Sequence, residues 1–351
     1  MKKIIAILLI FTLMFGFAAC GRAEEDIPIQ DTPTPAQDMP SEDPSVAEEL
    51  SPSEAQKLTI GVLNGATGLS AAWLMEEAAA GNTFDDYTFE IATAPDQVVS
   101  MLMSGQIDIA ALPTNVAATL YNRTDGGVQI IAVTTLGVLH ILENGDSVNE
   151  IADLEGRTIH TTGEGANPEF ILNHVLNQNG LTPGVDVFIE FHPNEALATL
   201  MASGEIDLAM VPEPMKSSVL MQHSDVRHAI DMTDAWQAIG DGSQLMMSAF
   251  VMRREVRNDN ASSTQRFLEL LEESIAQTNA NPEAVGELIA QFGLLPNANI
   301  AARAIPGCNL VFVSGADIEP AIMGYFEALY QANPESIGGG LPSAAFFFVP
   351  S

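Results

Sequence analysis

The chain has 351 residues, and its 46 acidic against 13 basic residues give a formal net charge of −33 at pH 7. That balance excludes a nucleic-acid surface, because binding a polyanion takes clustered Lys and Arg. The two cysteines, Cys20 and Cys308, exclude a small disulfide-stapled fold, and the length suffices for a core of one large or two medium domains.

The N-terminus reads as an export signal. Met1-Lys2-Lys3 is basic, residues 4–17 are almost wholly apolar, and small residues precede Cys20. The apolar run is shorter than the about 20 residues a spanning helix needs. Phe17-Ala18-Ala19-Cys20 resembles a bacterial lipobox, with Phe where Leu is usual. That resemblance implies that residues 1–20 are a lipoprotein signal peptide and that Cys20 carries the lipid. Cys308 then has no partner and is expected to behave as a small buried hydrophobe. Residues 21–56 hold ten acidic residues, one basic residue and six prolines. Such a stretch buries too little apolar surface to offset its chain entropy, so a disordered, extended tether is expected.

From residue 57 the pattern alternates between strand and helix. Strands are expected at 58–63, 87–92, 107–112, 128–135 and 138–142, with helices at 69–80, 97–103 and 115–121. The rhythm returns with strands at 158–161, 187–191 and 206–211 and helices at 168–178 and 195–202. A further apolar helix is expected at 318–330. Alternation of this kind argues for parallel sheets covered by helices.

An internal repeat supplies the domain plan. Residues 96–113, DQVVSMLMSGQIDIAALP, align with residues 195–212, EALATLMASGEIDLAMVP, at a constant offset of 99. Each copy reads as helix, glycine cap, buried strand and proline break. The proline marks the carboxyl end of the strand, where α/β sheets bind their ligands. Two such units a hundred residues apart argue for two similar α/β lobes.

Four stretches carry a family resemblance: LTIGVLNGATGLSAAW from Leu58, SGQIDIAALPTN from Ser104, IADLEGRTIHTTGEGANPEFIL from Ile151, and SGEIDLAMVPEP from Ser203. In this order they resemble the substrate-binding proteins of the nitrate, sulfonate, taurine and thiamine-pyrimidine uptake group, over roughly residues 57–350. The resemblance implies the two-lobed type II periplasmic-binding-protein fold: α/β, with two mainly parallel sheets, flanking helices and crossover strands. Lobe 1 is expected at 57–136 and 247–351, and lobe 2 at 137–246. It also implies a monomeric, extracytoplasmic solute-binding component of an ABC importer. That component would be lipid-anchored to the outer face of the cell membrane and would work with a permease and its ATPase subunits.

The expected ligand site follows from the strand ends. Asn64, Gly65, Ala66 and Thr67 form one loop, where glycine permits close backbone approach and Asn and Thr offer donors and acceptors. Thr114 and Asn115 follow Pro113. Thr162, Gly165, Ala166 and Asn167 precede the helix expected from Pro168, whose free N–H groups suit an anionic head. Glu213 and Pro214 close the set, with Glu213 facing ligand or pairing with Lys216. No Arg lies in these loops, so no bidentate anion clamp is expected. Trp73 and Trp236 are candidates for ring stacking or for core.

Catalytic and metal patterns are not legible. The six histidines, at 140, 160, 174, 192, 223 and 228, include no pair at helical ligand spacing. There is no Cys-x-x-Cys, no Gly-x-Ser-x-Gly elbow and no phosphate loop. No catalytic residue, metal or cofactor is therefore assigned. The alternatives are an exported α/β hydrolase, a non-transport surface lipoprotein with a sensing role, and a metal-uptake binding protein.

Overall fold

The computed structural model describes residues 54–259 and 261–350. The leader, Cys20 and nearly all of the tether lie outside the described residues. Among the described residues no helix is long and apolar enough to cross a membrane.

The strands in chain order are β1 (Lys57–Leu63), β2 (Asp86–Ala92), β3 (Ile109–Pro113), β4 (Val128–Thr135), β5 (Leu139–Asn144), β6 (Thr158–Thr161), β7 (Phe188–Phe191), β8 (Leu208–Pro212), β9 (Val226–Asp231), β10 (Ser248–Arg253) and β11 (Leu310–Ser314). One sheet has the order β11-β4-β10-β3-β1-β2, and the other β7-β6-β8-β5-β9. Helices flank both, so the α/β fold class holds.

The sheets are mixed rather than mainly parallel, which corrects the sequence expectation. β1 runs parallel to β2 and β3, but β10 runs antiparallel to β3 and β4. In the second sheet β6 is parallel to β7 and β8, while β5 is antiparallel to β8 and β9. The cause is the crossover. The first sheet's β4 passes directly to β5 of the second, and β10 returns. A strand that enters at the junction runs against the strands that end there.

The repeat is visible at each level. Helices Pro95–Ser104 and Asn194–Ser203 stand 99 residues apart, as do β3 and β8. Gly105 (φ 76°) and Gly204 (φ 72°) end the helices in the left-handed region, which only glycine enters without strain. Both strands are buried up to a half-buried terminal proline, Pro113 or Pro212.

One expected helix is broken. Residues 69–80 form helices Ala66–Leu69 and Ala72–Ala79 instead. Between them Ser274, from the long helix Ala261–Ala280, donates to the Ser70 carbonyl at 2.7 Å and accepts from the Leu74 N–H at 3.1 Å. The second helix thus borrows its cap from a distant residue.

A buried apolar cluster runs through the junction, joining Leu112 and Val133 of the first sheet to Ile141 and Met210 of the second. Each lobe also carries a buried carboxylate tied to arginine. Asp85 accepts from Arg266 Nε and Nη2, both at 2.8 Å. Glu143, 1% exposed, is held by Arg227, Ser147 and the Val148 N–H. Burial works to raise the Asp85 pKa, but Arg266 and the Gln56 N–H outweigh it and hold the carboxyl below its ordinary value.

The Asp85 contribution is therefore present above the unfolded carboxylate pKa and is lost as pH falls through the depressed folded value. Asp85→Asn is expected to lower stability by about 2–3 kcal/mol at pH 7, a cost moderated by the partial exposure of Arg266. Denaturant unfolding at pH 7 and pH 3 checks this: the gap between parent and variant narrows at the lower pH.

Candidate functional site

The ends of β3, β4 and β10 lie level, since Ser248 pairs with both Pro113 and Thr135. Three hydroxyl residues gather there: Thr114, Thr135 and Ser248. Thr67 joins them through a 3.1 Å contact between its Oγ1 and Ser248 Oγ. Thr114 is buried, donating from its hydroxyl to the Met246 carbonyl and from its N–H to the Met247 carbonyl. The Thr135 hydroxyl is buried with no hydrogen-bond partner, a state that costs free energy until a partner arrives.

The loop before Thr67 keeps an open backbone. Gly65 has φ +82°, and no atom lies within 4 Å of where a Cβ would stand. Its N–H already serves the Leu294 carbonyl at 3.3 Å, and the N–H of exposed Asn64 serves Ala92. Ala66 is half-buried at the start of its short helix. Asn115 turns away from the strand ends, its Nδ2 toward the Ser336 carbonyl at 3.5 Å.

In the second lobe β6 leads to Thr162, which is buried, and the loop then enters helix Asn167–Gln178. Asn167 is the first residue of that helix, 6% exposed, with an unpartnered Oδ1. Ala166 precedes it without a side-chain cap. Gly165 is exposed, and its N–H donates to Glu169 Oε2 at 2.6 Å. The Glu169 carboxylate therefore already offsets part of the helix's positive end.

Glu213 is committed to protein partners. It is 3% exposed, with Lys216 Nζ at 2.8 Å and the Ser217 N–H and hydroxyl at 3.2 and 3.1 Å. Half-buried Pro214 follows in a cis peptide. Gly307, from the first lobe's turn Ile305–Cys308, lies against this pair. His140 Nε2 of β5 is 3.3 Å from the Gly307 carbonyl and 3.5 Å from Lys216 Nζ. These groups bridge the lobes.

The aromatic candidates separate. Trp236 is buried, stacked on His174 at 4.3 Å, and donates from Nε1 to Ser243 Oγ. It is a core residue. Trp73 is partly buried and packs against the first lobe's own apolar cluster. Cys308 is fully buried, and burial, reinforced by Glu213, pushes its thiol pKa far up, which leaves it inert.

Sequence reasoning missed Thr135 and Ser248, which strand pairing alone brings beside Thr114. It also missed two trios of metal-competent side chains, His140/His228/Asp231 and His160/Glu190/His192. Their members sit on neighbouring strands, where helical spacing rules are blind.

Comparison with known proteins gives a consistent result. The model of the NMT1/THI5 like family matches residues 86–285, more than half of the chain. A Brucella abortus (strain 2308) protein, whose name gives a provisional binding role and no ligand, is 24% identical over 212 residues. That match covers 60% of this chain and spans 63% of the relative's length. An ABC transporter structure from Parabacteroides distasonis superposes with a TM-score of 0.70 at 20% identity, covering 85% of this chain and 99% of the other. The periplasmic aliphatic sulphonate binding protein SsuA from Escherichia coli gives 0.67 at 19%, covering 84% and 92%. At these identities the structural matches establish the fold.

A Cβ on Gly307 would collide with the Glu213 carboxylate and the Lys216 ammonium. Gly307→Ala is therefore expected to lower stability by about 1–3 kcal/mol. A thermal unfolding midpoint equal to the parent's would show that this turn does not press on the pair.

Proposed function

The chain belongs to the NMT1/THI5-like family, and on that premise we propose that it is the extracytoplasmic solute-binding component of an ABC importer. In this reading it captures a small organic solute between the lobes and delivers it to a permease driven by ATPase subunits. The solute classes are those of the resembling proteins: a sulfonate, a nitrate-like anion or a thiamine-pyrimidine-like ring. The SsuA match carries a sulphonate in its name and supports the first class.

The observation that carries the reading is the set of neutral polar groups at the strand ends. Thr135 Oγ1 and Asn167 Oδ1 are buried and unpartnered, one in each lobe. Thr67 and Ser248 add hydroxyls beside Thr135, Thr162 adds one in the loop before Asn167, and Thr114, whose own proton goes to Met246, adds acceptor lone pairs; Gly65, Ala66, Gly165 and Ala166 shape the loops. Asn64 stands at the exposed rim of that set. A solute that satisfies both lobes binds the closed arrangement better and shifts the population toward it. Asn115, Glu213 and Pro214 take structural roles in this proposal, because the first two are already engaged. Hydrolysis is the rival reading. It requires a nucleophile beside a base, whereas the Thr67 and Ser248 hydroxyls face each other and Thr114 donates to a carbonyl.

The same proposal takes residues 1–20 as a signal peptide, Cys20 as the lipidated residue and 21–56 as the tether. The folded part, with lobe 1 at 57–136 and 247–351 and lobe 2 at 137–246, would work as a monomer at the outer face of the cell membrane.

The test is a thermal-shift panel on the full chain in detergent, with alkanesulfonates, taurine, nitrate, thiamine and its pyrimidine, and amino acids. One solute at a hundred times its dissociation constant should stabilise the protein by about 2.7 kcal/mol. Thr135→Val and Asn167→Ala should each weaken that solute roughly 3- to 10-fold. No shift across the panel, or unchanged affinity in both variants, would overturn the proposal.

A further inference from the structure

Near the end of β6, two residues before Thr162, β6 and β7 carry a second group of side chains with its own chemistry. In the parallel register His160 of β6 stands beside Glu190 of β7. Side chains alternate along a strand, so His192, two residues after Glu190, returns to the same face. The His192 N–H donates to the Thr161 carbonyl at 2.8 Å, which extends the pairing past the end of β7 and fixes that alternation. His160 Nδ1 lies 2.9 Å from His192 Nε2 and 3.5 Å from Glu190 Oε2. All three ligand atoms fall within 4.8 Å of one another.

We propose that His160, Glu190 and His192 form a divalent transition-metal site of the zinc type on the edge strand pair of the second lobe, made of residues that the proposed solute site does not use. Two imidazoles and one carboxylate are the ligand chemistry such ions take. Bonds of about 2.0–2.1 Å at tetrahedral angles hold ligand atoms roughly 3.3–3.4 Å apart. The 2.9 and 3.5 Å separations bracket that value, so an ion enters with only small side-chain movement. When both imidazoles bind an ion through a ring lone pair, the carboxylate is the one anionic ligand, and a dication compensates it. The Glu190 side chain is 61% exposed and both imidazoles are half-buried. A hydrated ion can therefore approach, and water completes its shell. Burial lowers the His160 pKa, opposed by Glu190 and helped by His192, a direction that favours the form with a free ring lone pair.

The other trio has the same ligand types, with His140 Nδ1 3.2 Å from His228 Nε2 and 3.4 Å from Asp231 Oδ2, but differs in its surroundings. His140 is 1% exposed, and the Lys216 ammonium lies 3.5 Å from its Nε2. A cation there would have the Lys216 ammonium beside it, a charge the His160 group lacks. That contrast makes His228 a control inside the same molecule. At the edge, β7 pairs with β6 alone among the described residues. An ion held by both strands would clamp the edge strand to its neighbour.

The experiment is a Zn2+ titration of the untagged full chain, stripped by chelator, against a competing chromophoric chelator. Thermal unfolding of the same samples accompanies it. The expected result is one tightly bound Zn2+ per chain and a raised midpoint. Affinity should fall at least 10-fold in His192→Ala and in the exposed-site variant Glu190→Gln, and should stay unchanged in His228→Ala. Circular dichroism matching the parent confirms that the variants fold. The proposal is overturned if no Zn2+ binds, if His192→Ala and Glu190→Gln bind as the parent does, or if His228→Ala loses the ion instead.

Discussion

The fold depends on an exchange of strands. β5 and β10 each leave one sheet and insert in the middle of the other, hydrogen-bonded on both sides by antiparallel partners. Read from β2 and from β7, the sheets then share one order: β2-β1-β3-β10-β4 and β7-β6-β8-β5-β9. Each lobe is completed by a strand that the other lobe delivers, so neither sheet closes alone. The crossings also touch. Gly137 of the first leaves no room for a Cβ against Thr233 and Leu245 of the second, and Asn309 donates to its carbonyl at 2.7 Å. A side chain at residue 137 would push apart the two connections on which any lobe movement must turn.

The exchange also decides where polar chemistry collects. A crossing strand starts at the junction, where the parallel strands end, so hydroxyls of β4 and β10 meet there with Thr114, just past β3, and with Thr67 in the loop after β1. The lobes are not held apart around this zone. An apolar cluster runs through the junction, and the Gly307–Glu213–Lys216–His140 contacts bind one flank. Binding energy from a solute would therefore act on lobes already in contact, selecting among closely related arrangements.

Much of this was legible in the chain. The 99-residue repeat places β3 and β8, their helices and their glycine caps, because helix periodicity and left-handed glycine are local properties. Thr67, Thr114, Thr162 and Asn167 could be placed just past strand ends, because proline breaks and helix starts announce those ends. The mixed sheets were not legible, because strand direction at the junction is a consequence of the crossover and not of any local pattern. Thr135 and Ser248 look like ordinary polar residues beside apolar runs; only their pairing across 113 residues makes them neighbours. Glu213 sat in an expected loop, yet burial beside Lys216 commits it. The histidine trios depend wholly on cross-strand register, which no spacing within one strand reveals.

The central claim is that one small solute is held by both lobes at the strand ends. The most direct measurement is the electron density of the protein crystallised with the panel solute that stabilises it most. The account predicts density within hydrogen-bond distance of Thr135 or Ser248 in the first lobe and of Thr162 or Asn167 in the second. Density confined to one lobe, or lying away from these residues, would contradict it.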